Sequence, residues 1–163
     1  MANVSPKLVE MLNQQIAHEG LNSQKYAYIG AWLQNKGLNK IGAHFFPGQT
    51  DEERSHQDLI RDYLIKRNEN VQSYVIPEFK MELSGVTQIA QFYLATEQET
   101  TAKLKAIALA AFAEGDLLTF DFAMDMVHKQ LNEEDEAITF LDKAIMADDA
   151  PEVLLLWDAN FSL

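Results

Sequence analysis

The sequence predicts an all-α protein: a four-helix bundle built from two hairpins, joined by one long crossover and followed by a short C-terminal fifth helix. Three observations predict it. Apolar residues recur at steps of three and four through four long stretches. Proline (4) and glycine (7) are scarce, which favours long uninterrupted elements. The one long aperiodic stretch falls between the second and third of these segments, where a connection running the length of a bundle belongs. The chain of 163 residues is read as a single domain over residues 1–163, large enough to bury a core.

The first helix starts at Ser5-Pro6, with Ser as N-cap and Pro at the first helical position. Its stripe is Leu8, Leu12, Gln15, Glu19, Asn22, Tyr26, Ile29 and Leu33, and it stops near Lys36-Gly37. The second runs from Leu38 or Asn39 to Arg67, with Ile41, Phe45, Gln49, Glu53, His56, Ile60, Tyr63 and Leu64 on one side. Pro47-Gly48 lies inside it, and the missing N–H predicts a kink there, with a full break as the alternative. Residues 68–83 form the crossover and include a β-like run at Tyr74-Val75-Ile76. The third helix runs from Gly85 or Val86 to Ala113 on Ile89, Tyr93, Glu97, Thr100, Leu104, Ile107 and Ala111. Glu114-Gly115-Asp116 is a tight turn. The fourth spans Leu117 to Ala147 on Phe120, Ala123, Val127, Gln130, Glu133 or Glu134, Ala137, Leu141 and Ala144. The segment from Glu152 to Phe161 supplies the fifth helix. A helix of ~28 residues is ~42 Å long at 1.5 Å per residue.

Composition narrows the chemistry. Cysteine is absent, which excludes disulfides, thiolate zinc sites, iron–sulfur clusters and cysteine nucleophiles. A metal here must be held by Glu, Asp, His or Gln. A formal charge of −12 repels nucleic-acid phosphate and anionic membrane and attracts cations, so neither nucleic acid nor membrane is an expected partner. Met1 to Leu8 shows no basic region followed by an apolar run, and no stretch approaches the ~20 apolar residues of a membrane span. The expected location is the cytoplasm.

Every stripe carries a polar, ligand-type residue near its middle: Glu19 in the first, Glu53 and His56 in the second, Glu97 in the third, Gln130 and Glu133 in the fourth. One such carboxylate alone fits a solvated boundary position. Several buried at one depth would each cost several kcal/mol and repel one another. A pair of divalent cations removes the conflict by neutralising the charge and occupying the lone pairs. Glu53-x-x-His56 puts both side chains on one helical face, and Gln130-x-x-Glu133 repeats the step. Glu19 precedes Glu53 by 34 residues and Glu97 precedes Gln130 by 33, so the halves look alike. Di-iron carboxylate bundles use single Glu residues from two helices and Glu-x-x-His pairs from the others. A plain structural bundle is the other reading, and it leaves the carboxylates unexplained.

These residues resemble the ferritin family on its prokaryotic non-haem side, over nearly the whole chain. The resemblance rests on Leu12-Asn13-Gln14-Gln15-Ile16, Glu19, Ser23, Tyr26 and Trp32, on Phe45 and Asp51-Glu52-Glu53-Arg54-Ser55-His56, on Glu97-Gln98, on Gly115-Asp116 before Thr119-Phe120, and on Gln130-x-x-Glu133. It implies the ferritin-like bundle and a ferroxidase centre holding two iron ions per subunit. By that resemblance Glu19, Glu53 and His56 match the ligands of the first iron. Glu97 and Glu133 match those of the second, Glu53 bridges both, and Gln130 matches a neighbour that hydrogen-bonds or weakly contacts the site. Tyr26 matches a tyrosine beside the centre, a candidate electron donor or hydrogen-bond partner to bound oxygen or peroxide; as a plain core aromatic it would serve packing alone. Glu52 matches a ligand of a third iron position, but Lys129 and Asn132 replace its fourth-helix partners, so an ordinary third site is not expected. Arg54 stands where haem-binding relatives place Met, so no haem is expected. The N-terminal segment carries only Lys7, unlike the basic tails of DNA-coating relatives.

The implied activity is iron storage and detoxification. Fe(II) reaches the centre along acidic routes, is oxidised by oxygen or peroxide, and the ferric product is stored in a shell of identical subunits, twenty-four by resemblance. The alternative is a ferritin-like di-iron oxidase or peroxidase without storage. His18, His44 and His128 are expected on the surface, with iron routes as the alternative, and have no assigned role.

Overall fold

The computed structural model describes residues 4–163; Met1–Asn3, part of the stretch read for a leader, lie outside the described residues. Helix α1 (Pro6–Asn35) opens as the Ser5-Pro6 signal predicts, with Ser5 Oγ accepting from the Leu8 N–H at 3.2 Å. It closes on Lys36, and Gly37 takes φ +85°, where a side chain would be strained.

The second helix breaks rather than kinks. Helix α2 (Asn39–Ala43) and helix α3 (Thr50–Lys66) flank a wide turn over His44–Gln49, in which Phe46 is extended (φ −133°, ψ 108°) and the Phe46–Pro47 peptide is cis. Proline removes a donor and pushes the residue before it out of the helical region, which accounts for the extended Phe46. Two glycines let the broken segment lie directly on α1. A Cβ on Gly30 would meet the Phe46 backbone nitrogen at 2.7 Å and the Gly42 carbonyl oxygen at 2.9 Å. Below α3 the crossover follows the bundle to residue 85. The Tyr74-Val75-Ile76 run joins no strand, and no strand occurs among the described residues. The Asn13 side chain tethers the crossover, donating to Asn70 O (3.1 Å) and accepting from Gln72 N (2.7 Å).

Helix α4 (Val86–Glu114) and helix α5 (Leu117–Ala147) form the second hairpin, closed by Gly115 at φ +74° and capped by Asp116, whose Oδ1 accepts from Thr119 N at 3.1 Å. Helix α6 (Pro151–Ala159) is the fifth helix of the expectation, with α2 and α3 taken as one interrupted helix. Acidic residues from this end of the chain cap two helices far away in sequence. Asp149 Oδ1 accepts from Val86 N at 2.6 Å, and Asp158 Oδ1 accepts from Lys40 N and Ile41 N, both at 2.8 Å.

The stripes of α1 and α4 are buried as expected, and in α2–α3 only Tyr63 is half-buried. The stripe of α5 differs: Phe120, Val127 and Leu141 are half-buried, while Thr119, Met126 and Phe140 are buried. The buried positions 119, 123, 126, 130, 133, 137, 140, 144 and 147 follow a seven-residue repeat. That is the narrow seam of supercoiled bundle packing, and the expected residues flank it. It also settles the Glu133–Glu134 alternative: Glu133 faces inward, while half-buried Glu134 takes a hydrogen bond from Thr101.

Two large apolar clusters fill most of the bundle, with a small third one at Val4, Leu8 and Ala111. One joins Tyr26–Leu33 of α1, Leu38–Phe45, Val86–Tyr93 of α4 and Ala137–Ala147 of α5. The other joins Leu12 and Ile16, Ile60 and Leu64, Leu104–Ala108, and Ala123 and Met126. Thus α1 and α5 run one way and α3 and α4 the other. The ligand-type residues occupy the layer between the clusters. No helix among the described residues is long and apolar enough to cross a membrane.

Candidate metal centre

All six inward residues, Glu19, Glu53, His56, Glu97, Gln130 and Glu133, are buried, and they come from α1, α3, α4 and α5. Glu19, Glu53 and His56 each offer a ligand atom within 4.8 Å of the other two. His56 links the two halves: its Nδ1 lies 3.3 Å from Glu53 Oε2 and its Nε2 3.2 Å from Glu133 Oε1. On the other side Gln130 Nε2 donates to Glu97 Oε2 at 3.0 Å, and the Tyr26 hydroxyl donates to Glu97 Oε1. Gln15, passed over in the sequence as one more stripe residue, donates through Nε2 to Glu19 Oε1 at 2.7 Å. Its i, i+4 spacing to Glu19 was the available signal. Glu19 and Glu97, the single carboxylates of α1 and α4, are therefore each held at one oxygen by a glutamine amide.

The remaining oxygens include two that are unsatisfied. Glu19 Oε2 and Glu53 Oε1 are buried and meet no hydrogen-bond donor. A carboxylate in that state is strongly disfavoured as an anion. Burial, then repulsion from Glu53, pushes Glu19 well above the ordinary carboxylate range, and burial likewise raises Glu53. Burial raises Glu97 to about 8, only partly offset by the Tyr26 hydrogen bond. Burial alone would lower His56, but the hydrogen bonds with Glu133 and Glu53 outweigh it and push it up to about 11. Without a metal, a proton on His56 thus bridges the carboxylates. Hard oxygen donors, one imidazole and orphaned carboxylate oxygens fit a hard divalent cation.

Glu52 is exposed at the edge of this layer, with a ligand atom within 4.8 Å of those of His56 and Glu133. These three residues line a cavity of about 250 Å³ with Lys129, Asn132 and Glu136. Glu136, one turn beyond Glu133, was not singled out in the sequence. Arg54 lies on the surface and pairs with Asp51 at 3.2 Å. Of the histidines, only His128 is exposed as expected. His18 Nε2 bonds Thr100 Oγ1 at 2.8 Å, and His44 packs among Phe45, Tyr93, Phe140 and Phe161, because each lies at the edge of a buried stripe.

The model of the ferritin-like domain matches residues 9–146. A bacterial non-heme ferritin of Staphylococcus saprophyticus is 27% identical over 98% of this chain and 95% of its own length. One of Bacteroides fragilis is 28% identical over 90% of this chain and 92% of its own. A crystal structure of an open pore ferritin from the archaeon Archaeoglobus fulgidus superposes with a TM-score of 0.95 at 26% identity, covering 100% of this chain and 99% of that one. The bundle, the buried layer of carboxylates and a family match across most of the sequence place the chain in the ferritin family.

Proposed function

We propose that this ferritin stores iron and that the buried layer is its ferroxidase centre, taking up about two Fe(II) ions per chain. In this reading Glu19, Glu53 and His56 hold the first ion, and Glu97 and Glu133 hold the second. Glu53 bridges the two, and Gln130 steadies Glu97. Four carboxylates and two divalent ions sum to zero charge, so binding relieves the repulsion that burial creates. Each Fe(II) then gives one electron to the oxidant: O2 with two protons becomes H2O2, and H2O2 with two protons becomes two waters. The ferric pair carries two excess charges in the same pocket, which favours bound hydroxide and release. Glu52 and Glu136 stand on the cavity through which the product leaves. Storage requires copies of the chain to enclose a space, twenty-four by family resemblance. Exposed apolar residues such as Leu131, Met146, Leu155 and Leu156 suit contacts between copies.

The observation that carries this reading is the pair of buried, donor-free oxygens on Glu19 and Glu53 beside His56. Stopped-flow absorbance in the near-ultraviolet, after mixing metal-free protein with a few Fe(II) per chain in oxygenated buffer, tests it. A fast phase that saturates near two Fe(II) per chain and disappears in Glu53→Ala is expected. Oxidation no faster than in buffer alone would refute the catalytic part and leave a passive store.

A further inference from the structure

Tyr93 lies one turn before Glu97 on α4, on the inward stripe and on the Phe45–Phe140 side of the metal layer. It is 0% exposed, and its hydroxyl has no hydrogen-bond partner. Edge contacts fix its ring: Tyr26 at 5.5 Å and 88°, Phe45 at 5.2 Å and 79°, Phe140 at 6.0 Å and 81°. The phenol cannot swing away without displacing packed neighbours. His44 also packs edge-on against the ring at 5.7 Å, yet nothing here accepts from the hydroxyl; phenylalanine would fill the same space without stranding a donor. Tyr93 stands one turn from Glu97 on α4 and packs edge-on against Tyr26, whose hydroxyl meets Glu97, so it borders the metal layer. Tyr26, the tyrosine expected to serve the oxidant, has its O–H committed to Glu97.

We propose that Tyr93 is the hydrogen-bond donor to the oxidant, an oxygen species with free lone pairs (O2 or H2O2) held at the metal layer, and that Tyr26 instead positions Glu97. The inference rests on the ferroxidase reading above. Tyr93 is neither oxidised nor consumed. Its O–H stabilises negative charge as the oxidant gains electrons from Fe(II), in a buried site where such a bond acts strongly.

Tyr93→Phe keeps the ring and removes only the oxygen. Anaerobic Co(II) titration, followed by d–d absorbance, should give the same stoichiometry and affinity in Tyr93→Phe as in the unsubstituted protein. Fe(II) oxidation should slow about 10- to 100-fold in the variant, the loss of one hydrogen bond to a charged group, with O2, with H2O2 added anaerobically, or with both; the arm that slows identifies the oxidant that Tyr93 serves. Tyr26→Phe should differ, weakening Co(II) binding through the freed Glu97. Unaltered oxidation by both oxidants in a Tyr93→Phe protein that binds Co(II) normally would overturn the proposal and leave the ferroxidase reading intact. Absence of saturable Co(II) binding in the unsubstituted protein would overturn both.

Discussion

Replacing Glu97 by Gln should stabilise the metal-free protein at neutral pH and leave it no more stable in acid. Folded Glu97 titrates at about 8 against an ordinary 4.5, chiefly because it is buried. At pH 7 the folded chain must therefore hold a proton that the unfolded chain has released. The sign follows from linkage: a carboxyl raised on folding costs nothing below its unfolded value, and its cost grows as pH rises until the folded value is passed. Each pKa unit is worth about 1.4 kcal/mol, so the penalty at pH 7 is about 3 kcal/mol. The substituted amide never ionises and escapes it. Its carbonyl oxygen can still accept from Tyr26, but its NH2 group then faces the Gln130 donor, and losing that bond costs about 1 kcal/mol. The net gain is about 2 kcal/mol at pH 7, or roughly 4–8 °C in Tm for a domain of this size. Near pH 5 the two effects cancel to within about 1 kcal/mol. Calorimetric melting of chelator-treated protein at pH 5 and pH 7 measures both points. A Tm difference independent of pH, or a variant less stable at pH 7, would show that Glu97 is not a buried, protonated carboxyl. Adding Co(II) should reverse the order, because ligand binding stabilises whichever form binds more tightly.

Related consequences follow from the same groups. Metal uptake should release protons, since Glu97 and His56, titrating at about 8 and about 11, both hold one at pH 7 without metal. Titration calorimetry in buffers of different ionisation heat should report release of at least one proton per chain, and affinity rising with pH; zero net release would contradict the bridging proton on His56. His18 and His44 are lowered to about 4, first of all by burial. The unfolded chain protonates them near 6.5, so stability should be full above that and fall between pH 6.5 and 4, by at most about 3 kcal/mol for each. His44→Phe, which keeps the ring stacking, should flatten part of that slope in urea titrations; an unchanged slope would exclude His44 as a contributor. Gly30→Ala would drive a Cβ to 2.5 Å from Phe46 Cβ and against backbone that cannot yield. A loss of about 1–3 kcal/mol is expected, read as a lower denaturation midpoint; no loss would mean that the α1–α2 contact is looser than the geometry indicates.

The inward stripes of α1 and α4 were legible because helical periodicity is local: each residue's side is set by its own position in the turn. The four carboxylates and His56 were legible because a charged residue on an apolar stripe breaks the pattern visibly. Pro47 marked the second helix as interrupted, yet periodicity could not choose between a kink and a break. That outcome depends on Gly30 and Gly42 letting the displaced segment lie on α1. On α5 two adjacent registers, one through Phe120 and Val127, the other through Thr119 and Met126, fit the apolar pattern nearly equally. Only packing against the other helices selected the seven-residue seam.

The sequence alone therefore determined the long helices, their pairing into two hairpins and the polar side chains that line the buried layer, since these follow from spacing and side-chain chemistry. Tertiary structure alone decided which hydroxyl is spent and which is free: Tyr26 meets Glu97 across 71 positions of sequence, while Tyr93, one turn from the same Glu97, meets no acceptor. It also decided that Asp149 and Asp158 cap helices α4 and α2 from the far end of the chain. Hydrogen bonds depend on distances of about 3 Å between atoms, and for residues remote in sequence those distances exist only once the bundle has closed.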